Sequence, residues 1–328
     1  MIQAALIGFG WWGKNIARAV QGQSTLLRFA RVVSKETERD GPLAAQLGMQ
    51  LSANFEDVLA DPAIQAVVLA TPHSLHADQI VAAARAGKHV FCEKPLALTH
   101  ADAKRAAQAC TAHGLVLAVG QNKRFWPAMV KLREIAASGV LGEMLHLEGH
   151  YSNEHSTKFF AEWRDSPAES PAGGLTGTGI HIIDAFTGLA GPAESVTASV
   201  HSTREGKDPR DATAVLVTFR SGVQGYFAMV RATPIYWRVH VFGDRASVEA
   251  LGENEVVLRH QGGRIERFTF PPVDSIRAEI DAFARAIPEQ GRVTEPYPIT
   301  VPEMVQGIAL FEAIVRSIET RQPTGVAS

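Results

Sequence analysis

The chain has 328 residues, a length suited to two domains, and 46% hydrophobic against 20% charged residues is an ordinary globular balance. Its net charge is −2 with both signs mixed along the sequence, so no stretch reads as a nucleic-acid or anionic-membrane patch. Two cysteines, Cys92 and Cys110, are too few for a disulfide framework and suit a reducing cytoplasm.

The opening residues, from Met1 to Ile7, carry no basic segment and run straight into a glycine turn, so they read as a strand and not as a signal peptide. The longest apolar runs, such as 66–70, fall far short of the ~20 residues of a membrane span. A cytoplasmic location is the expectation. In chain order, strand 4–7 precedes a helical pattern at 12–21, strand 29–33 and a helix beginning at 42–47. Strands at 66–70 and 89–92 flank an Ala-rich helix around 78–86, and a second Ala-rich helix, 101–113, precedes strand 115–119. Strands without polar alternation, spaced by helices, predict a parallel sheet covered on both faces.

The texture changes near Gln121-Asn122. A helix at 127–138 leads into strands at 144–151, 195–202, 212–219 and 223–230, with a hairpin signal at Phe219-Arg220-Ser221-Gly222. Further strands follow at 237–242, 247–250, 255–258 and 265–270, and helices at 275–286 and 302–320 close the chain. The reading is an α/β Rossmann domain over 1–122, then an α+β domain over 123–328 with a large, mostly antiparallel open sheet.

Gly8-Phe9-Gly10-Trp11-Trp12-Gly13 matches G-x-G-x-x-G immediately after a strand and at the opening of a helix, as dinucleotide binding requires. Gly8 allows the tight turn, Gly10 lets the backbone approach a pyrophosphate, and Gly13 permits close helix–strand packing. About twenty residues on, an acidic residue usually selects NAD. This chain has Ser34-Lys35 there, with Arg39 nearby, and a hydroxyl and cations suit a 2′-phosphate. NADP is favoured and NAD remains possible.

The run Ala70-Thr71-Pro72-His73-Ser74-Leu75-His76, followed by Ala86-Gly87-Lys88-His89-Val90-Phe91-Cys92-Glu93-Lys94-Pro95, resembles the Gfo/Idh/MocA oxidoreductases. These are named for glucose–fructose oxidoreductase, inositol dehydrogenase and rhizopine catabolism. The likeness continues through Gly120-Gln121-Asn122-Lys123-Arg124-Phe125, Trp163-Arg164 and Gly179-Ile180-His181-Ile182-Ile183-Asp184. It implies that Lys94 contacts the reacting hydroxyl, that the peptide before Pro95 is commonly cis, and that His181 is the general acid/base. An ammonium can stabilise developing negative charge, and imidazole titrates near operating pH. Asp184 would share a helix face with His181, either orienting the ring or pairing locally. Thr71, Pro72, His76, Glu93, Lys94, Asn122, Trp163 and Arg164 are the further residues expected near cofactor or substrate. Many relatives carry an aspartate four residues before the histidine, where this chain has Gly177 between Thr176 and Thr178.

The resemblance implies an NAD(P)-dependent oxidoreductase acting on a secondary alcohol, or the matching ketone, of a sugar, inositol or related polyol. The alternatives are an NAD-retaining glycosidase working by transient oxidation and a non-enzymatic nucleotide-dependent sensor. The open sheet face and the loop 154–178 are expected to wall the substrate. Alternating apolar residues such as Val215, Val217 and Phe219 suggest a sheet face seeking a second copy, hence a homodimer or homotetramer. No metal is expected. His73 with His76, and His146 with His150 and His155, lack the convergent third or fourth ligand of a metal centre. Cys92 lacks an activating partner.

Overall fold

Strand β1 (Ile2–Ile7) is almost wholly buried, as expected of a central strand covered on both faces. Around it the computed structural model, which describes residues 1–154, 162–202, 212–231, 233–288 and 295–328, builds a six-stranded parallel sheet. Its other strands are β2 (Leu27–Val33), β3 (Gln50–Ser52), β4 (Ala66–Leu69), β5 (His89–Glu93) and β6 (Leu117–Gly120). Their order is β3-β2-β1-β4-β5-β6, every neighbouring pair parallel. Helices α1 (Trp11–Val20), α2 (Thr37–Gln46), α3 (Glu56–Leu59), α4 (His76–Arg85) and α5 (His100–Ala112) connect them. Thr99 starts α5 by accepting from the Asp102 amide at 3.2 Å while its own hydroxyl donates to the Asp102 carboxylate at 2.9 Å.

The chain divides into two contact units, and the first takes residues 1–122 together with 274–304. This differs from two continuous blocks. The helix α8 (Ser275–Ala286) packs on α1 and β2, with Ser24 Oγ donating to Asp281 at 2.5 Å. An apolar helix face needs cover wherever the chain returns, and sequence separation costs little once loops are long.

The second unit is built on a nine-stranded sheet. Its strands are β7 (Met144–Asn153), β8 (Ala193–His201), β9 (Ala212–Phe219), β10 (Gln224–Arg231), β11 (Tyr236–Gly243), β12 (Ala246–Leu251), β13 (Glu255–His260), β14 (Ile265–Thr269) and β15 (Thr324–Gly325). The order is β14-β13-β12-β11-β7-β10-β9-β8-β15, with β7–β10 parallel and the other pairs antiparallel. Helix α6 (Pro127–Ala137) lies on β12 and β13, and α7 (Ile180–Ala190) on β7. The last helix, α9 (Val301–Thr320), carries Ser317, whose hydroxyl accepts from the Ala198 amide of β8 at 3.0 Å. No described helix is long and apolar enough to cross a membrane.

One face of this sheet is covered and the other open, but not with the residues expected. Val215, Val217 and Phe219 are buried inside the chain, whereas Leu216, one position out of phase, is 61% exposed. A strand presents alternate residues to opposite faces, and here the branched apolar set belongs to the chain's own core.

Candidate active site

The carboxyl edge of the parallel sheet gathers the first set of candidate residues. Gly8 follows β1 with φ of +95°, and a side chain there would bring Cβ to 2.5 Å from the Ala70 carbonyl oxygen. At Gly13 a Cβ would stand 2.1 Å from the Gly8 oxygen, so α1 is drawn against the turn in a way only glycine permits. Gly10 heads α1, and a Cβ there meets nothing within 4 Å, leaving its backbone open to a ligand. This cradle, facing the first turn of α1, fits a dinucleotide pyrophosphate. Phe9 is buried, so only its backbone can take part, while Trp11 is exposed and its ring lies 5.5 Å from that of Trp12.

At the tip of β2, Ser34 is tied into a hydrogen-bonded corner. Its side chain is buried, its hydroxyl donates to Asp40 at 2.5 Å, and its oxygen accepts from the Glu36 amide at 3.1 Å. A serine has one hydroxyl proton, and here Ser34 directs it to Asp40. Lys35 is exposed, and Arg39 places Nε and Nη2 on Asp40 at 3.0 and 3.2 Å. Burial alone would raise the Asp40 pKa, but hydrogen bonds from Arg39, Lys14 and Ser34 outweigh it and hold the group at about 2.

Two strands away, Thr71 follows β4 and donates to Gln79 Oε1 at 2.6 Å. His76 is fully enclosed. Its ring has no exposed surface, and its nitrogens lie 2.7 Å from the Pro95 carbonyl and 3.1 Å from that of Thr71. It staples the loop after β4 to the loop after β5. Glu93, ending β5, is buried against Gly120 of β6, where a Cβ would come within 2.8 Å of its carboxylate. Lys94 comes next, half-buried, and the Lys94–Pro95 peptide is cis, as the family resemblance implies. Asn122 gives its amide to Ser275 Oγ at 3.1 Å, so its side chain anchors α8 within this unit.

The second set of residues belongs to the other unit. A five-residue π-helical turn, Leu175–Gly179, leads into α7, and His181 is the second residue of that helix. Two glycines seat α7 on the sheet. A Cβ at Gly149 of β7 would lie 2.7 Å from Ile182 and 2.9 Å from Phe186, and one at Gly225 of β10 would lie 3.0 Å from Phe186. His181 is buried, with its ring edge-on to Tyr151 at 6.2 Å between centroids. Tyr151 sits on the helix-covered face of the sheet. Burial pushes the Tyr151 phenol up to about 12, although Asn153 Nδ2 donates to its oxygen at 3.2 Å. Behind it, Lys123 lies in a cage of aromatic faces, 3.6 Å from Trp126, 4.6 Å from Tyr151 and 5.6 Å from Trp237.

Asp184 pairs with a residue distant in sequence, Arg124. Its carboxylate accepts from Arg124 Nε at 2.7 Å and Nη2 at 3.1 Å, both side chains being nearly enclosed. Gly188, one turn on, leaves room for this guanidinium, for a Cβ there would fall 2.5 Å from it. Around Gly177 a Cβ would meet nothing within 4 Å. Trp163 and Arg164 form part of a 3₁₀ turn, Glu162–Asp165, with the guanidinium 4.9 Å above the indole. Residues 155–161 of the loop expected to wall the substrate, including His155, lie outside the described residues.

Sequence reading missed Asp40, Arg124, Tyr151 and Lys123 as members of these constellations. Arg124 and Lys123 stood within the Gly120–Phe125 run, but their partners are supplied by distant elements. Among the described residues no group of three or more His, Cys, Asp or Glu side chains gathers as a metal would need. Burial raises both thiols, Cys92 well above its ordinary value with Glu93 adding to the effect, and Cys110 to about 12.

Two family models match the chain: an oxidoreductase family with an NAD-binding Rossmann fold over residues 2–121, and the GFO/IDH/MocA C-terminal domain over 129–249. An uncharacterized oxidoreductase of Schizosaccharomyces pombe is 34% identical over 153 residues, 46% of this chain and only 41% of the relative. The match to D-xylose 1-dehydrogenase (NADP(+)) 2 of Haloferax volcanii is 28% identical over 320 residues and covers 94% of each chain. The solved structure of levoglucosan dehydrogenase in complex with NADH and levoglucosan superposes with a TM-score of 0.87 at 22% identity, covering 99% of both chains. That likeness is one of fold. Taken with the glycine cradle and the Glu93-Lys94-Pro95 element, the matches to both domains place this chain in the Gfo/Idh/MocA family of NAD-binding oxidoreductases.

Proposed function

We propose that the protein transfers hydride between a nicotinamide dinucleotide and a secondary alcohol, or the corresponding ketone, of a sugar, inositol or related polyol. The observation that carries this reading is the placement of Lys94 on the same carboxyl edge of the parallel sheet as the Gly8–Gly13 cradle. A bound nicotinamide supplies the hydride acceptor or donor. Lys94 holds the reacting oxygen and stabilises the negative charge that develops on it. His181 takes the hydroxyl proton in oxidation and returns it in reduction. Arg124 and Asp184 keep the first turns of α7 in place, and so act through His181. The full-length relative named as an NADP-dependent xylose dehydrogenase supports a sugar-type substrate. A panel of sugars and polyols with both cofactors, followed by nicotinamide absorbance, tests the reading. Turnover of none would refute it.

NADP is the cofactor we favour over NAD, with Lys35 and Arg39 as the cations at the ribose. One charge-assisted hydrogen bond contributes ~1.5–3 kcal/mol, roughly ten- to a hundredfold in affinity. Lys35→Ala should therefore weaken NADPH binding selectively.

The open sheet face is assigned to a second copy of the chain. Leu216, Tyr226, Tyr236 and Ile265 are 61, 44, 48 and 54% exposed on four different strands. The charges between them are already paired within the chain, Arg238 to Glu148 and Glu249 at 2.9 and 3.0 Å. A face of this kind suits self-association into a dimer or tetramer. Light scattering at micromolar concentration should give a mass at least twice that of the chain, and Leu216→Glu should lower it. A monomer would contradict the assignment.

A further inference from the structure

The corner at the tip of β2 holds a carboxylate that no role described so far explains. Asp40 has no exposed surface. Its Oδ1 accepts from Lys14 Nζ at 2.7 Å and Arg39 Nε at 3.0 Å, and its Oδ2 from Ser34 Oγ at 2.5 Å and Arg39 Nη2 at 3.2 Å. Both oxygens are thus saturated and enclosed. Asp40 therefore cannot be the acid that accepts hydrogen bonds from an adenosine ribose, the task by which a carboxylate in this region selects NAD.

Its effect is on its neighbours. The guanidinium of Arg39 is planar, and two of its nitrogens are fixed on one carboxylate, which sets the orientation of the whole fork. Nη1, the nitrogen not on Asp40, lies on a side chain that is 58% exposed, with the nearest acid, Glu36, 3.7 Å away and itself 61% exposed. The same carboxylate fixes Ser34, whose oxygen holds the Glu36 amide and so shapes the loop that carries Lys35. Lys14 from α1 is bound to it as well, tying the glycine turn's helix to this corner. Lys14, Lys35 and Arg39 balance Glu36, Glu38 and Asp40 in this corner, so a phosphate preference here rests on the fixed geometry of the Arg39 fork and not on an excess of positive charge.

We propose that Asp40 is a specificity-positioning residue: it never touches the cofactor, but it pre-orients Arg39 and the Ser34–Glu36 loop to receive a ribose 2′-phosphate. The proposal rests on the NADP reading above. A freely rotating arginine would have to be ordered at each binding event, whereas one already clamped is not. An asparagine at position 40 keeps the size but cannot accept the paired N–H bonds as a carboxylate does.

Binding of NADPH and of NADH, measured separately by calorimetry, tests this without reference to turnover. Wild type should bind NADPH more tightly. Asp40→Asn should lower the NADPH-to-NADH affinity ratio about tenfold, chiefly through NADPH. Arg39→Ala should lower it as far, and the double variant should fall short of the sum of the two single losses, because Asp40 acts in part through Arg39 and in part through the Ser34–Glu36 loop. Arg39→Lys, a substitution on an exposed side chain that leaves the buried carboxylate in place, should also lose most of the preference, since an ammonium lacks the fork. Parallel weakening of both cofactors in Asp40→Asn would indicate a merely structural role and overturn the proposal. So would a rise in the ratio, additive losses in the double variant, or full preference retained in Arg39→Lys. A wild type that binds both cofactors equally would overturn the NADP reading and this proposal with it.

Discussion

At Gly177 the absence of a side chain is a chemical statement, because the space a Cβ would enter is empty to 4 Å and the backbone there is not left-handed. Gly177→Asp can thus be made without distorting the turn before α7. With Thr176 and Thr178 on either side, we expect this space to receive a substrate hydroxyl, so the new carboxylate should lower turnover while cofactor affinity stays within about twofold. Higher turnover with the same polyol would mean that the missing acid limits the reaction. Arg124 and Asp184 present the opposite case, a nearly enclosed ion pair with three contacts between 2.7 and 3.2 Å. Asp184→Leu removes the carboxylate that faces this buried guanidinium, and the expected loss is about 3–5 kcal/mol in denaturant unfolding. A loss below about 1 kcal/mol would show that the pair is replaceable. Neither this pair nor the Asp40 corner could be read from the sequence. Arg124 and Asp184 lie 60 residues apart, and Lys14 of α1 and Asp40 of α2 lie 26 apart. The glycine turn was legible because it depends on a local motif at an element end, and the positions of Lys94 after β5 and of His181 in the first turn of α7 follow from motifs of the same kind.

Elements were legible where their period was strong. Strands β9 and β10 and helix α8 lie where alternation and helical spacing put them, whereas β3 with three residues, α3 with four and β15 with two are too short to carry a pattern. The phase of β9 was the deeper difficulty. Its sequence gives alternation but not which set faces inward, a choice made by α7 and by the glycines of β7 and β10 that let it close on the sheet. On the open side, β11 carries His240, stacked on Phe242 at 3.8 Å and accepting from Arg238 Nη2 at 2.7 Å on Nδ1. Burial, with Arg238 adding to it and Glu249 opposing, lowers His240 to about 4. The ring is neutral in the fold, so its contribution is complete above the ordinary value near 6.5. It is lost as pH falls from there towards 4, where the unfolded chain takes a proton the folded one refuses. The difference amounts to roughly 3 kcal/mol. His240→Gln keeps an acceptor for Arg238 without titrating, and its stability should fall less than that of wild type across this range. Identical slopes would contradict the assignment.

For the molecule as a whole, two units and two sheets follow from the change in texture at residue 122, but the return of 274–304 to the first unit does not. That segment reads as one more amphipathic helix, and only the apolar flank of α1 and β2 tells where it goes. The glycine cradle and Lys94 belong to the first unit, and His181 on α7 to the second. The central claim is that these two residues carry hydride chemistry on a hydroxyl. It is tested most directly by steady-state turnover of wild type, Lys94→Met and His181→Ala on one polyol substrate, alongside cofactor binding by each. The account predicts turnover reduced ~10²–10⁴-fold in His181→Ala and largely abolished in Lys94→Met, with cofactor affinity nearly unchanged in His181→Ala. Wild-type turnover in His181→Ala would contradict it.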